Sequence, residues 1–371
     1  MLLYSIFSNI IFSGLVAIIV AFLLVYFIIP RIIWVVNSKD LIDHPDQRSA
    51  HIKATPTMAG YSFFFTLVLM VFFIKQWDTD VISINLIAGL TIIFSIGLKD
   101  DLVLSTPIAK LGGETIAILF LLYCSCMQIE SLDGFLGIYN LPFVLSILFT
   151  VLMLLTIVNA YNLIDGIDGL AAIVGIVIFS IYSLIFYATH LYFYFLLCLS
   201  LIGILGAYLR YNFSEAKKIF MGDTGSLIIG FCIGFFTLKF MTMDAVLFSR
   251  FTFNPENKLI IVIAILCIPL FDLVRVIGVR LLNNKSPFSP DRNHTHHVLL
   301  DSGLSHVKAA LLLGFSNYFL VILLIYLSSH FNSFQMLIVI AIVFGLFLLV
   351  FYKLKENIKV KKVSKILERG E

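Results

Sequence analysis

Hydrophobic runs of about twenty residues follow one another along almost the whole chain, separated by short polar stretches. A helix rises about 1.5 Å per residue, so runs of that length match a hydrocarbon layer about 30 Å thick. The pattern predicts spans at 8–30, 59–75, 81–98, 108–127, 141–158, 169–188, 190–209, 224–243, 258–278, 307–329 and 332–352, eleven in all. Four polar stretches fall by parity on one side of that bundle. They are Asp100-Asp101, Asn159 to Gly169, Phe220 to Ser226, and Asp291 to His297. A carboxylate costs about 3 kcal/mol at a bilayer centre, so gathering so many at one boundary predicts one shared polar site.

Composition agrees with the pattern. Of 371 residues, 60% are hydrophobic and only 13% charged, where a soluble domain carries about 25% charge. The expected fold is therefore all-α, a polytopic membrane helix bundle of about eleven spans. Residues 1–352 form its transmembrane domain and 353–371 a basic tail, which suits a stop-transfer flank or contact with anionic lipid. Of the 25 Lys and Arg residues, 21 lie on the side that holds the four motifs, which puts that side and the C-terminus in the cytoplasm and the N-terminus outside. No basic region precedes the first apolar run, so 8–30 reads as a retained span rather than a cleaved signal. The five cysteines are odd in number and lack metal-ligand spacing, so no disulfide framework is implied. Membrane lipid is an expected partner and nucleic acid is not.

Each motif has a chemical reading and a plainer one. Asp100 and Asp101 are adjacent carboxylates that repel unless a cation, a proton or a metal-bound phosphate relieves them; alone, the pair would be a solvated span end. Asn159, Asn162, Asp165 and Asp168 recur every three residues and would share one face of a helix, with oxygen ligands that suit a hard cation such as Mg²⁺. The segment from Phe220 to Ser226, with Asp223, opens a new span, where helix N-terminal amides favour phosphate; Asp223 as a simple helix cap is the alternative. It lacks the lysine of a P-loop. Arg292, His294, His296 and His297 form a basic loop that suits an anion or a sugar better than zinc, because no fourth ligand lies near. Lys53 adds charge to the same face.

The ordered set of the Asp pair, NAYNLIDGIDGL, FMGDTGS and SPFSPDRNHTHH resembles the polyprenyl-phosphate N-acetylhexosamine-1-phosphate transferase family over roughly residues 30–305. That resemblance implies Mg²⁺-dependent transfer, with Mn²⁺ as a substitute, of a sugar-1-phosphate from a UDP-N-acetylhexosamine to undecaprenyl phosphate, releasing UMP. It makes Asp223 the principal Mg²⁺ ligand with Asn162 beside it, and Asp100 and Asp101 the pair that handles the acceptor. Phe220 would stack on uracil, and Asp165 and Asp168 would be active-site carboxylates. Lys53, Asn159, Arg292, His294 and His296 would bind substrate, with His297 catalytic.

The SPFSPDRNHTHH loop is similar to the branch that transfers GlcNAc-1-phosphate to start cell-surface polysaccharides. Lys53 to Met58 looks more like the branch transferring phospho-MurNAc-pentapeptide in peptidoglycan synthesis, so that donor is the alternative. An anion transporter is a remote rival, because transporters place polar groups near the midplane and these lie at span ends. A homodimer remains open.

Overall fold

The computed structural model describes residues 9–39, 42–43, 55–79, 81–103, 105–123, 127–248, 251–284, 286 and 294–368. Lys53 and Arg292, both expected to bind substrate, lie outside the described residues. The helices are α1 (Ile10–Ser38), α2 (Gly60–Ile74), α3 (Ser83–Leu102), α4 (Pro107–Leu122), α5 (Phe143–Ile164), α6 (Leu170–Ala188) and α7 (Tyr192–Asn212). They continue as α8 (Gly222–Thr242), α9 (Lys258–Ile265), α10 (Cys267–Leu282), α11 (Thr295–Asp301), α12 (His306–Ser328) and α13 (Ser333–Glu368). Short helical turns at Lys75–Trp77, Ala245–Phe248 and Pro255–Asn257 and two antiparallel ladders complete the described elements: β1 (Ile42–Asp43) with β2 (Thr55–Pro56), and β3 (Ser131–Phe135) with β4 (Ile138–Asn140).

Eleven helical positions along the chain match the expectation, but two of them are not simple spans. Nine helices among the described residues are long and apolar enough to cross a membrane, and α9 with α10 makes a tenth only as a pair bent by 72°. Helix α4 has 16 residues, about 24 Å of helix. Thr106 caps it and Pro107 starts it, and it carries Lys110, Gly112, Gly113 and Glu114, which shortens the apolar run that the pattern places at 108–127. Helix α13 runs without a break from the last apolar run into the basic tail, as far as Glu368.

The bend has a local cause. Pro269 has no N–H to give to the Ile265 carbonyl four residues back, so the ladder fails there. Asn317 of α12 repairs both sides of the break: its amide Nδ2 donates to Ile265 O (3.1 Å), and its Oδ1 accepts from Ile268 N (3.3 Å). An apolar surround offers those groups no water, so the fully buried Asn317 stands in for it.

Helix α8 is the axis of the bundle. From Thr224 to Met241 all but one of its residues are buried, and α2, α3 and α5 pack around it. A helix that is apolar on every face is stable only in such a place. Close approach at its start depends on glycine: a Cβ on Gly97 would collide with the backbone of Thr224, and one on Gly60 with the backbone of Gly225. At the other end of α8, Lys258 is buried and donates to Met241 O (3.2 Å) and Met243 O (2.7 Å). Its Nζ lies 2.6 Å from Asp133 of the β3–β4 hairpin.

Candidate active site

Asn159 and Asn162 stand on the last turns of α5, one helical step apart. The stripe predicted through Asp165 and Asp168 does not continue, because α5 ends at Ile164. Asp165 has left helical geometry (φ −78°, ψ 53°), and Gly169 enters the left-handed region at φ 77° before α6 begins. The two aspartates therefore sit on a short turn between helices and face different partners.

Asp223 lies in the first turn of α8. Its Oδ1 accepts from Asn162 Nδ2 at 2.7 Å, and the same Nδ2 is 2.7 Å from Ser226 Oγ. Its Oδ2 lies 3.3 Å from Lys110 Nζ, which also donates to Asp100 Oδ2 at 3.0 Å. One turn further along α4, Glu114 is fully buried and accepts from Asn159 Nδ2 at 2.6 Å. Lys110 and Glu114 were not singled out in the sequence. Their spacing of four residues on a helix was the available signal.

The Asp pair divides its work. Asp100 also accepts from Ser105 N at 2.7 Å. Asp101 turns the other way and caps α8 from a neighbouring helix. It accepts from Asp223 N (2.7 Å), Thr224 N (3.2 Å) and Thr224 Oγ1 (2.5 Å). The helix amides expected to meet phosphate are thus already occupied by a carboxylate, and Asp223 is not the cap of its own helix. A carboxylate satisfies those orphan donors and the positive end of the helix together.

Around the turn, Asp168 Oδ2 meets Lys218 Nζ at 2.6 Å and His306 Nδ1 at 3.0 Å. Burial works to raise the Asp168 carboxyl, but these two neighbours prevail and hold it below its ordinary value. Lys218 also lies over the Phe220 ring, 5.4 Å from its centroid. Asp165 differs. Burial first, then the charges of Asp223, Asp101 and Asp168, push its carboxyl up to about 7.

The histidine segment joins the same end. A Cβ on Gly166 would overlap the His296 ring, so the turn after α5 and the start of α11 are in contact. The rings of His294, His296 and His297 form one group, with centroids 4.4 Å apart for His296 and His297. Burial pushes the His296 imidazole down to about 3, so it is neutral at physiological pH. Asp272 of α10, also unmarked in the sequence reading, anchors this segment through His294 and Thr295.

Described residues of all four motifs thus meet at one end of the bundle. Among the described residues no three His, Cys, Asp or Glu side chains form a closed metal cage. The set fits a hard cation that keeps much of its water, since Asp100 and Asp223 already hold a cation, the Lys110 ammonium, between them.

Comparison with known proteins agrees. The family model for glycosyl transferase family 4 matches residues 83–241, which include the Asp pair, both asparagines and Asp223. An undecaprenyl-phosphate alpha-N-acetylglucosaminyl 1-phosphate transferase of Haemophilus influenzae is 30% identical over 280 residues, covering 74% of this chain and 76% of that protein. The chain belongs to glycosyl transferase family 4. A probable undecaprenyl-phosphate N-acetylglucosaminyl 1-phosphate transferase of Bacillus subtilis is 41% identical over 125 residues, 32% of each chain. A decaprenyl-phosphate N-acetylglucosaminephosphotransferase of Mycobacterium tuberculosis is 29% identical over 295 residues, 73% of this chain and 72% of that one. This family 4 transferase is an enzyme, and its apolar helices and bacterial relatives make it a multi-pass protein of the inner membrane.

Proposed function

We propose that this enzyme transfers GlcNAc-1-phosphate from UDP-GlcNAc to undecaprenyl phosphate and releases UMP, opening the synthesis of a cell-surface polysaccharide. The relatives' names support a polyprenyl-phosphate acceptor and an N-acetylglucosamine phosphate. The observation that carries the reading is the convergence of Asp100, Lys110, Asn162 and Asp223 beside the histidine segment.

In the reaction an oxygen of the acceptor phosphate attacks the β-phosphorus of the donor. The bond from that phosphorus to the bridging oxygen breaks, and the pair of electrons leaves with UMP. Both reactants are anions, so positioning and charge neutralisation supply most of the catalysis. Asp223, with the Oδ1 of Asn162, would hold Mg²⁺, or Mn²⁺ in its place, and the bound metal would neutralise the pyrophosphate. Lys110 bridges Asp100 and Asp223 in the resting site and is the side chain that would turn to the acceptor phosphate. Asp100 takes the last acceptor proton where one remains, while Asp101 keeps the start of α8 in register. Lys218 and Phe220, stacked together, offer a cation and a ring face to the nucleotide. The neutral His296, with His297, offers hydrogen bonds to sugar and phosphate oxygens, and His294, whose Nδ1 is taken by Asp272, offers an acceptor to a sugar hydroxyl.

The test offers membranes containing the protein, undecaprenyl phosphate, Mg²⁺ and either UDP-GlcNAc or UDP-MurNAc-pentapeptide, and follows UMP release. We expect turnover with UDP-GlcNAc. Turnover of the pentapeptide donor alone would move the enzyme to the peptidoglycan branch. For the cytoplasmic placement of the site, single cysteines at Ser105 and Ser214 in a cysteine-free background should resist impermeant thiol reagents in intact cells, and one at Thr79 should react. The opposite labelling overturns that orientation.

A further inference from the structure

Asp272 lies beyond the bend in α10, buried, with no place in the chemistry above. Three donors converge on it from the histidine segment. His294 Nδ1 is 2.7 Å from Oδ2, Thr295 N donates to Oδ1 at 2.6 Å, and Thr295 Oγ1 donates to Oδ1 as well. The nearest cation of its own helix, Arg275, is 3.9 Å away and lies over the Phe351 ring. So the carboxylate does two things at once. One oxygen binds the first turn of α11, and the other binds an imidazole.

The second contact fixes a proton. An ionised carboxylate only accepts hydrogen bonds, so His294 must carry hydrogen on Nδ1, which leaves Nε2 as a bare acceptor in the neutral ring. That ring stacks on His296, with centroids 5.5 Å apart and planes 11° apart, and His296 packs against Gly166 between Asp165 and Asp168. A line of contact thus runs from a membrane-buried aspartate to the turn that carries the two site carboxylates.

We propose that Asp272 is a positioning residue that acts through His294, fixing its Nδ1–H tautomer and the seat of the histidine segment for the transfer. This rests on the reading of the histidine segment as substrate-binding. Asp272 touches no substrate. Its effect is that the neutral His294 ring turns Nε2 to the substrate as an acceptor, and that His296 and His297 start from a fixed helix end.

Asp272→Asn separates this from a purely structural contact. The amide keeps an oxygen for Thr295 but presents a donor to His294, which forces the hydrogen to Nε2. Nitrogen-15 NMR of histidine-labelled enzyme in nanodiscs should show Nδ1–H at His294 in the wild type and Nε2–H in Asp272→Asn. Transfer should fall about 100-fold in kcat, with KM for UDP-GlcNAc changed by less than about threefold, by analogy with other Asp-held imidazoles. In a His294→Ala background the same substitution should cost nothing further, because the partner it acts through is gone. An equal loss in both backgrounds overturns the proposal. So does an Nε2–H tautomer in the wild type, a measurement that holds even if Asp272→Asn does not fold. Wild-type enzyme that turns over no UDP-sugar but shows the Nδ1–H tautomer would sink the functional reading and leave the Asp272–His294 pair standing.

Discussion

At the far end of α8 the buried ammonium of Lys258 meets Asp133 at 2.6 Å and two backbone carbonyls, and stands 4.5 Å from the centroid of the Phe248 ring. At the motif end, among the described residues, Asp100, Asp101, Asp165, Asp168 and Asp223 gather within reach of two lysines, Lys110 and Lys218, and of His306. One region matches charge with charge and holds the β3–β4 hairpin to the bundle. The other, among the described residues, is left with more carboxylates than cations, a balance that folding alone has no use for. Buried like charges cost free energy unless something relieves them, so the unbalanced end is the one built to receive cations and be completed by them.

The comparison breaks most visibly at Asp223. Asp223→Asn should leave a folded protein whose transfer rate is lower by at least about three orders of magnitude, since charge neutralisation carries phosphoryl transfer. Chelation of divalent metal should silence the wild type, with Mg²⁺ restoring it but not the variant. Purified Asp223→Asn with near wild-type turnover would end the assignment.

The opposite result is expected at the balanced end. Asp133→Asn strands the buried Lys258 and should cost about 3 kcal/mol of stability, because removing one partner leaves an uncompensated charge. Activity per folded molecule should hardly change. A variant that stays as stable as the wild type but loses kcat would show that the hairpin end is not the structural clasp described here.

Asp165 sharpens the contrast through pH. Its carboxyl sits at about 7 in the folded chain against an ordinary value of 3.8. A raised carboxyl binds its proton better folded than unfolded, so its contribution to stability is full below about pH 3.8 and is lost as pH rises through about 7. In metal-free detergent, Asp165→Asn should therefore stabilise the protein at pH 8 by about 1–2 kcal/mol, a figure discounted for solvent screening, with the gain shrinking towards pH 4. A gain independent of pH would count against the crowding of carboxylates.

An effect of similar size tests the division of the Asp pair. Asp101→Ala removes the cap of α8 and should cost about 1–2 kcal/mol, with faster hydrogen exchange at the amides of Asp223 and Thr224. Exchange unchanged at those two amides would return Asp101 to the chemistry beside Asp100.

Much of this was legible beforehand, for particular reasons. The spans were readable because bilayer thickness imposes one length on every run, and the shared end followed from parity. What escaped depended on contacts between distant segments. Asp101 looks identical to Asp100 along the chain, and only the proximity of α3 to α8 at Gly97 gives it a different partner. Lys110, Glu114 and Asp272 sit inside apolar runs with no neighbouring motif, so their partners, 113, 45 and 22 residues away for Asp223, Asn159 and His294, could not be read off. The polar stripe from Asn159 to Asp168 failed because a period of three continues only while the backbone stays helical, and Asp165-Gly166 is where it stops.

The bend in α9–α10 also says something about the order in which the protein is made. Its two backbone groups freed by the break find their partner in Asn317, which lies 52 residues after Ile265 and 49 after Ile268. While the ribosome is still adding those residues, the broken segment waits in lipid with a carbonyl and an amide that nothing in its own helix can satisfy. The kink can settle only when α12 arrives beside it. Helix α12 thus supplies the polar groups that complete the bend below Asp272 and the histidine segment.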